Sequence, residues 1–308
     1  MVHSLRKWGG RLADAPVMAI APRRNAPLAP DTHAQLRDLN VEHVRDLTQN
    51  PYPWFNFANK VAAFSIAENR AATPGVLWLD SDVIVAGEPS SCFLPPEIHI
   101  AGRGEPLAPA TRDPGDQFEP YWLAVCKLLG VDFHSLPYLD LTPPDRPIRT
   151  YLNAGVFAWR RGTGFIQAWR SDFIKLMQSR LSLPNGDFFF NEQTCLGLTA
   201  HRLGLKLRHL PQRDHHMIFQ GQLTGPGASP PLTNANLIHY SHSSSAPHWP
   251  AFLERLRAER PEIHAWLAPQ GPIQNHLSPL QRAFYLPYKI TRSARLKLEM
   301  KRAIPVVA

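Results

Sequence analysis

The first residues able to do chemistry are a pair of aspartates, Asp80 and Asp82, which follow the apolar run Val76–Leu79. The run is short and follows Pro74 and Gly75, which predicts a strand buried on both faces. Alternate residues of an extended chain share a face, so both carboxylates can meet one ion, and burying them without a cation would be costly. Their oxygen atoms favour Mg²⁺ or Mn²⁺, which would in turn clamp a diphosphate. The alternative is one aspartate capping the next turn and the other solvated.

Three further polar motifs occur later in the chain: Asn153-Ala154-Gly155, Asn191-Glu192-Gln193 and Ile238-His239-Tyr240. The small alanine and glycine let a ligand approach the backbone closely, although a simple strand bulge would look the same. A glutamate at this point also suits the start of a helix, where its charge favours the helix dipole. The histidine is a candidate metal ligand, since a neutral imidazole accepts Mn²⁺ better than Mg²⁺, or a hydrogen-bonded residue at a strand end.

Alternating helices and strands must position these motifs. Apolar periodicity predicts strands at 17–21, 41–44, 76–79, 205–208 and 236–240, together with a strand at 150–159 interrupted by a bend. It predicts helices at 4–13, 32–39, 57–71, 118–129, 165–181 and 191–203. This order favours an α/β fold with a mostly parallel central sheet and helices on both faces.

Composition narrows the class of protein. The chain has 308 residues and a formal net charge of +8, without an apolar run long enough for a membrane span or a signal peptide. Cys92, Cys126 and Cys195 are far apart and lack metal-site spacing, which favours a reduced, cytoplasmic protein. The positive charge suits anionic partners, but no nucleic-acid-binding motif accompanies it, so nucleic acid is not expected as a partner.

The order of the four motifs resembles that of GT-A-fold glycosyltransferases, most closely glycosyltransferase family 8 of the glycogenin and lipopolysaccharide-galactosyltransferase type. The resemblance covers roughly residues 4 to 250. It implies that Asp80, Asp82 and His239 bind a divalent metal, Mn²⁺ or Mg²⁺, on the diphosphate of a UDP-sugar. It implies that Glu192 and Gln193 lie beneath the anomeric carbon as catalytic residues. The donor-binding residues that it implies are Lys60, Asp80, Ser81, Asn153, Ala154, Gly155 and His248.

The resemblance therefore implies an enzyme that moves a hexose, with retention of configuration, from a UDP-sugar to an unknown glycan, lipid or protein acceptor. Two departures oppose it. The family's glycine and lysine after the histidine are absent here, where His242 and His248 lie instead, and Glu192 replaces the usual aspartate. These departures favour an alternative, a degenerate GT-A domain that binds nucleotide or glycan without turnover.

Two other classes of protein remain open. A haloacid-dehalogenase-like phosphatase also uses Asp-x-Asp after an apolar strand, but it expects Gly-Thr where this chain has Val83 and Ile84, and it places the motif near the N-terminus. A binding or scaffold protein is the other, because fold does not imply function.

The two ends of the chain give further expectations. Residues 1–268 are predicted to form the GT-A-like domain, and residues 269–308 a basic amphipathic tail. Basic residues alternate there with aromatic and aliphatic ones, which predicts either contact with an anionic membrane at its inner face or a helix packed on the domain. The first predicted strand is 17–21, and the family begins with an earlier one. The sequence thus predicts a missing first strand, from truncation or a mis-assigned start, with weak nucleotide binding.

Overall fold

The computed structural model describes residues 1–24, 28–112, 114–141, 146–218, 223, 229–272 and 278–306, apart from the side chain of residue 242. The helices of these residues are α1 (Val2–Trp8), α2 (Pro30–Asp38), α3 (Ala58–Arg70), α4 (Glu119–Leu129), α5 (Phe165–Ser179), α6 (Asn191–Arg202), α7 (Trp249–Glu259), α8 (Pro261–Leu267) and α9 (Pro279–Lys301). The strands are β1 (Val17–Ala21), β2 (Val41–Arg45), β3 (Gly75–Leu79), β4 (Val83–Val85), β5 (Ile100–Gly104), β6 (Tyr138–Leu139), β7 (Ile148–Arg149), β8 (Leu152–Arg160), β9 (Leu181–Ser182), β10 (Leu207–His209), β11 (His216–Met217), β12 (Leu237–His239) and β13 (Ile304–Pro305).

The α/β class expected from the sequence is confirmed, but the central sheet is mixed and not mostly parallel. Its strand order is β10-β5-β8-β3. β8 runs antiparallel to both β3 and β5, and only β10 and β5 are parallel. The expectation failed because apolar periodicity identifies strands without giving their direction. β8 is a single strand, but its pairing with β5 is interrupted at the place where a bend was expected: Gly102 lies opposite Phe157 and Arg103 opposite Asn153, so residues 154–156 of β8 have no partner in β5.

The two faces of β8 pack against different layers. Phe157 and Trp159 contact the aromatic and aliphatic side chains of the helices α3 to α6. Val156 and Ala158, which point the other way, pack in a cluster with Leu5 of α1. That cluster also contains residues of β4 and β12, two strands of the small sheet β11-β12-β4. Because both faces are covered, β8 is apolar at nearly every position, as expected for a fully buried strand.

The small sheet brings distant parts of the chain together. β12 runs antiparallel to β4, with His239 opposite Val83, and parallel to β11, with His239 opposite Met217. The backbone N–H of Tyr240 donates to the carbonyl oxygen of Asp82 at 3.1 Å. The end of β12 therefore lies beside the turn between β3 and β4.

The C-terminal residues form the long helix α9, which a capping box at Ser278 begins. One side of α9 contacts the protein: Leu296 and Met300 pack against the main core. After the helix, β13 pairs with β9, which fixes the end of the chain to the domain. Of the helices described, none combines the length and apolarity needed to cross a lipid bilayer.

Candidate functional site

Asp80 lies at the end of β3 and is fixed by three contacts. Its backbone N–H donates to the carbonyl oxygen of Gly155 at 2.8 Å. Its carboxylate accepts hydrogen bonds from Nζ of Lys60 at 2.8 Å and from Nε1 of Trp78 at 2.6 Å. Lys60 projects from the first turn of α3. Burial would lower the pKa of Lys60, but the charges of Asp80 and Glu192 outweigh burial and raise it, so the ammonium remains charged.

Asp82 and His239 complete a cluster of three candidate metal ligands. Their ligand atoms and those of Asp80 all lie within 4.8 Å of one another. Nε2 of His239 is 3.5 Å from a carboxylate oxygen of Asp82. Burial would raise the pKa of Asp82, but the hydrogen bond and charge of His239, with the charge of Lys60, lower it. The structure thus brings together the three residues that the sequence suggested as metal ligands.

Gly155 makes room for the imidazole of His239. A β-carbon added at Gly155 would lie 2.3 Å from Cε1 and 2.8 Å from Nδ1 of His239, far closer than such atoms approach. The glycine is required by this close approach and not by an unusual backbone conformation. Only a glycine at this point of β8 lets the histidine side chain reach the two aspartates.

The cluster fits a hard divalent cation. Two carboxylates and an imidazole are oxygen and nitrogen donors suited to Mn²⁺ or Mg²⁺, and each carboxylate oxygen has lone pairs beyond the hydrogen bonds described above. The donors are also fixed in place: Lys60 and Trp78 hold Asp80, and the space left by Gly155 holds His239. Fixed ligands lower the entropy lost on binding.

Glu192 is a second, different carboxylate near Lys60. It is the second residue of α6, is completely buried, and neither carboxylate oxygen accepts a hydrogen bond from another described residue. Burial raises its pKa to about 7, although the charge of Lys60 opposes the rise. Strong pKa shifts at a buried carboxylate, next to a candidate metal cluster, are typical of functional sites.

Glu105 connects polar side chains of β8 and α6 by hydrogen bonds. No sequence motif had pointed to this residue. One of its carboxylate oxygens accepts hydrogen bonds from Nδ2 of Asn153 and Nε2 of Gln193, each at 2.9 Å. Burial raises the pKa of Glu105, and these two hydrogen bonds oppose the rise. Gln193 also donates to the Tyr151 hydroxyl and accepts from the backbone N–H of Ala154. The amide of Gln193 is therefore fully used in cross-linking α6, β8 and Glu105.

Two sequence candidates are less closely tied to this arrangement. Ser81 is exposed between the two aspartates, and His248 lies at the residue before α7. The hydrogen bonds given above for the cluster include neither side chain. The side chain of His242, the other histidine considered as a replacement for the missing lysine, lies outside what the structure describes.

His215 contacts His239, a candidate metal ligand, at the ring nitrogen that does not face Asp82. Its Nε2 is 3.3 Å from Nδ1 of His239, and the two rings are nearly parallel, at 21°. His215 and His216 are adjacent, and adjacent residues of an extended segment face opposite ways. One of the two rings, that of His215, can therefore contact His239 while His216 points the other way.

Comparison with known proteins identifies a family for most of the chain. Residues 1–204 match the Rhodobacterales glycosyltransferase domain, a range that contains Lys60, Asp80, Asp82 and Glu192 but ends before His239. No curated protein sequence gives a significant match. The fold is similar to that of the bifunctional glycosyltransferase WbbM in its apo form, with 10% identity, 80% of this chain and 45% of WbbM covered, and a TM-score of 0.41.

The fold is also similar to that of the galactosyltransferase LgtC in complex with donor and acceptor sugar analogues. The identity is 14%, the alignment covers 89% of this chain and 91% of LgtC, and the TM-score is 0.42. The chain spans less than half the length of WbbM, as the coverage of 45% states. The family match extends over about two thirds of the chain, so the chain belongs to the Rhodobacterales glycosyltransferase domain family.

Proposed function

We propose that this glycosyltransferase moves a hexose from a UDP-sugar to a glycan, lipid or protein acceptor, with retention of configuration and with Mn²⁺ or Mg²⁺ as cofactor. The observation that carries the proposal is the cluster of Asp80, Asp82 and His239 together with the buried carboxylate of Glu192, which interacts electrostatically with Lys60 and Asp80. The four motifs are far apart in the chain, but they come together near the end of β3 and the beginning of β8. Their proximity supports the GT-A assignment.

In this proposal Asp80, Asp82 and His239 would hold the cation, which when bound supplies Lewis-acid stabilisation of the departing diphosphate. Lys60 adds a fixed positive charge at the same place. Its raised pKa keeps it protonated, and its hydrogen bond to Asp80 orients it toward the cluster. A preorganised charge of this kind stabilises negative charge that develops in the transition state.

Glu192 would act on the other side of the bond that breaks. When ionised, it places negative charge near the anomeric carbon, where positive charge develops as the bond to the diphosphate lengthens. Its burial without hydrogen bonds strengthens this interaction, because no solvent screens it. Since its pKa is raised to about 7, the ionised fraction, and with it the transfer rate, would rise with pH between about 6 and 8.

Asn153, Glu105 and Gln193 would shape the donor-sugar pocket. Asn153 is held between Glu105 and the backbone N–H of Gly155, which accounts for its fixed orientation. The proposed role of Gln193 is to hold Glu105 and Ala154, because its own amide atoms are occupied. Ala154 and Gly155 keep the backbone accessible to the ligand.

A degenerate domain that binds donor without turnover is less well supported. A domain freed from catalysis would lose nothing by replacing Glu192, since a buried carboxylate without hydrogen bonds destabilises the fold. A role in catalysis would explain why such a carboxylate lies near Lys60, and this favours an active enzyme. The lysine missing after His239 would be replaced by Lys60 and by a histidine of the following segment, His248.

The decisive experiment is thermal unfolding of the protein with UDP, GDP or ADP, each with and without Mn²⁺. We expect stabilisation by UDP that requires Mn²⁺, of about 2.7 kcal/mol at a ligand concentration one hundred times the dissociation constant. Release of UDP from a panel of UDP-hexoses would then identify the donor. Equal stabilisation by all three nucleotides would contradict the proposal of a UDP-sugar, and Mn²⁺-dependent binding without UDP release from any donor would favour the degenerate domain.

We further propose a cytoplasmic location at the inner membrane face, with α9 resting on anionic lipid. α9 exposes several large apolar side chains, namely Leu280, Phe284, Leu286, Ile290 and Leu298. Seven lysines and arginines lie between residues 282 and 302, against Glu299 alone, which is paired with Arg295 and Arg302. Apolar insertion and cationic charge together are typical of helices that bind anionic bilayers, each cation contributing about 1 kcal/mol.

Vesicle sedimentation tests the membrane proposal. The double variant Phe284→Ser/Ile290→Ser should lose binding to vesicles containing phosphatidylglycerol, while Leu123→Ser/Leu203→Ser, a matched pair of exposed apolar residues elsewhere, should bind like the wild type. Substitution is preferable to truncation, because the end of the chain pairs with β9. Equal sedimentation of both double variants would contradict the proposal, as would equal binding to vesicles of phosphatidylcholine alone.

A further inference from the structure

The contact between His215 and His239 has the geometry of a support for a metal ligand. Nε2 of His239 faces Asp82, and its other ring nitrogen, Nδ1, faces Nε2 of His215 at 3.3 Å. His215 is completely buried, and its other ring nitrogen, Nδ1, has no hydrogen-bond partner among the described residues. A neutral imidazole offers one nitrogen as an acceptor and the other as a donor.

We propose that His215 is a positioning residue that accepts a hydrogen bond from Nδ1 of His239 and thereby keeps Nε2 of His239 available to a divalent cation. This inference rests on the proposed metal site. A histidine that ligates through Nε2 must carry its proton on Nδ1, and that proton needs an acceptor. Among the described residues, the acceptor that the structure supplies is Nε2 of His215. Metal ligands without such a partner rotate more freely and bind more weakly.

The segment that carries His215 is itself fixed, as a support requires. Asp214, its neighbour, accepts hydrogen bonds from the backbone N–H of Ser91 and from Nδ2 of Asn236. The backbone N–H of Asn236 donates to the carbonyl oxygen of Arg213 at 2.6 Å. Since Asn236 directly precedes β12, these bonds fix His215 relative to the strand that carries His239.

His216 provides a matched comparison within the same segment. It is also buried, and burial lowers its pKa to about 4. It belongs to β11, opposite Ile238 and not opposite His239. A substitution there removes the same kind of side chain from the same depth of the protein without touching the hydrogen bond to His239.

The test is Mn²⁺ binding by the full chain, measured from the electron paramagnetic resonance signal of free Mn²⁺, with nitrogen coupling to the bound ion measured by pulsed methods. His215→Leu should weaken Mn²⁺ binding about 10- to 100-fold and remove the coupling from the histidine nitrogen. His216→Leu should keep both. His215→Gln places an amide oxygen near the position of Nε2 and should restore most of the affinity, whereas His215→Asn reaches only the position of Nδ1 and should not.

The Gln and Asn variants keep the proposal testable if the leucine variant does not fold, because both retain a polar side chain at this position. Equal Mn²⁺ affinity and nitrogen coupling in these two variants would overturn the positioning role, as would wild-type values in a folded His215→Leu variant. In either case the wild type still binds Mn²⁺, so the proposed metal-dependent function stands. A wild type that binds no Mn²⁺ would overturn the metal site and the role of His215 together.

Discussion

Asp82 and Glu192 both interact with the charge of Lys60, and their surroundings move their pKa values in opposite directions. Burial would raise both. At Asp82 the hydrogen bond and charge of His239 outweigh burial and lower the pKa. The carboxylate of Glu192 accepts no hydrogen bond from another described residue, and its pKa rises to about 7. The contrast teaches that one site can keep one carboxylate as a permanent anion for a cation and another as a group that titrates near neutrality.

The largest expected effect comes from substituting the three candidate metal ligands, which include Asp82. Asp80→Asn, Asp82→Asn and His239→Ala should each weaken Mn²⁺-dependent UDP binding by at least about 100-fold, because each removes a ligand and leaves the others incompletely paired. Titration calorimetry measures the affinity. Asp38→Asn, at an exposed aspartate of α2, is the control and should bind UDP like the wild type. Unchanged affinity in the three site variants would show that the metal is held elsewhere.

The next effect tests the ionisation of Glu192 by its influence on the free energy of unfolding. Its pKa in the folded protein is about 7, above the ordinary value of 4.5, so its ionisation opposes folding. The penalty is absent below pH 4.5, grows as the pH rises toward 7, and is complete above it. Without metal, Glu192→Gln should therefore gain stability relative to the wild type from pH 5 to pH 8, by at most about 3 kcal/mol.

Urea unfolding at the two pH values measures this gain. Glu97→Gln, at an exposed glutamate, is the control and should show no comparable change. A difference between Glu192→Gln and wild type that is the same at pH 5 and pH 8 would mean that Glu192 does not titrate in this range, and the contrast with Asp82 would be lost.

A smaller effect tests whether Gly155 positions the imidazole of His239 next to Asp82. Gly155→Ala should weaken Mn²⁺ binding about tenfold, because the added methyl group displaces the imidazole of His239. Gly75→Ala is a matched control in β3, since the nearest atom to its added β-carbon would be 4.0 Å away. Both variants should keep the wild-type circular dichroism spectrum. Equal Mn²⁺ affinity in the two would show that His239 tolerates movement.

The smallest expected effect concerns the pocket around Glu192. Asn153→Ala removes one of the two donors to Glu105 and should lower transfer about tenfold while leaving Mn²⁺ affinity unchanged. Glu192→Gln should likewise spare Mn²⁺ binding and lower turnover. Initial rates of UDP release at saturating donor, with parallel Mn²⁺ titrations, separate the two properties. Wild-type rates in both variants would remove Asn153 and Glu192 from the proposed chemistry.

The sequence predicted the elements better than their arrangement. Most of the helices and strands that were predicted lie within a few residues of the observed ones, since apolar periodicity reports which residues are buried, but short strands such as β4 and β5 and the helices α7 and α8 were not predicted. Strand direction and pairing are set by contacts between distant segments, which periodicity does not report. For that reason β8 was predicted in a mostly parallel sheet, whereas it runs antiparallel to both neighbours.

The site shows the same division. Asp80, Asp82 and His239 stand next to recognisable apolar strands, so residue type and position were enough to suggest them. Glu105 follows β5, a strand with a glycine at alternate positions and an arginine between them, and no motif marks it. His215 could not be distinguished from His216 by sequence, because only the pairing of β11 with β12 decides which ring meets His239.

The pairing of β12 with β4 also bears on how the protein reaches its folded state. His239 and Asp82 are separated by roughly 150 residues, and their approach depends on this short ladder of three residue pairs. Contacts this distant in the chain are slow to form, because loop closure must precede the energy that the contact returns. The ability to bind a divalent ion should therefore develop late during refolding, after the helices have formed, and ion binding would report when this long-range contact is complete.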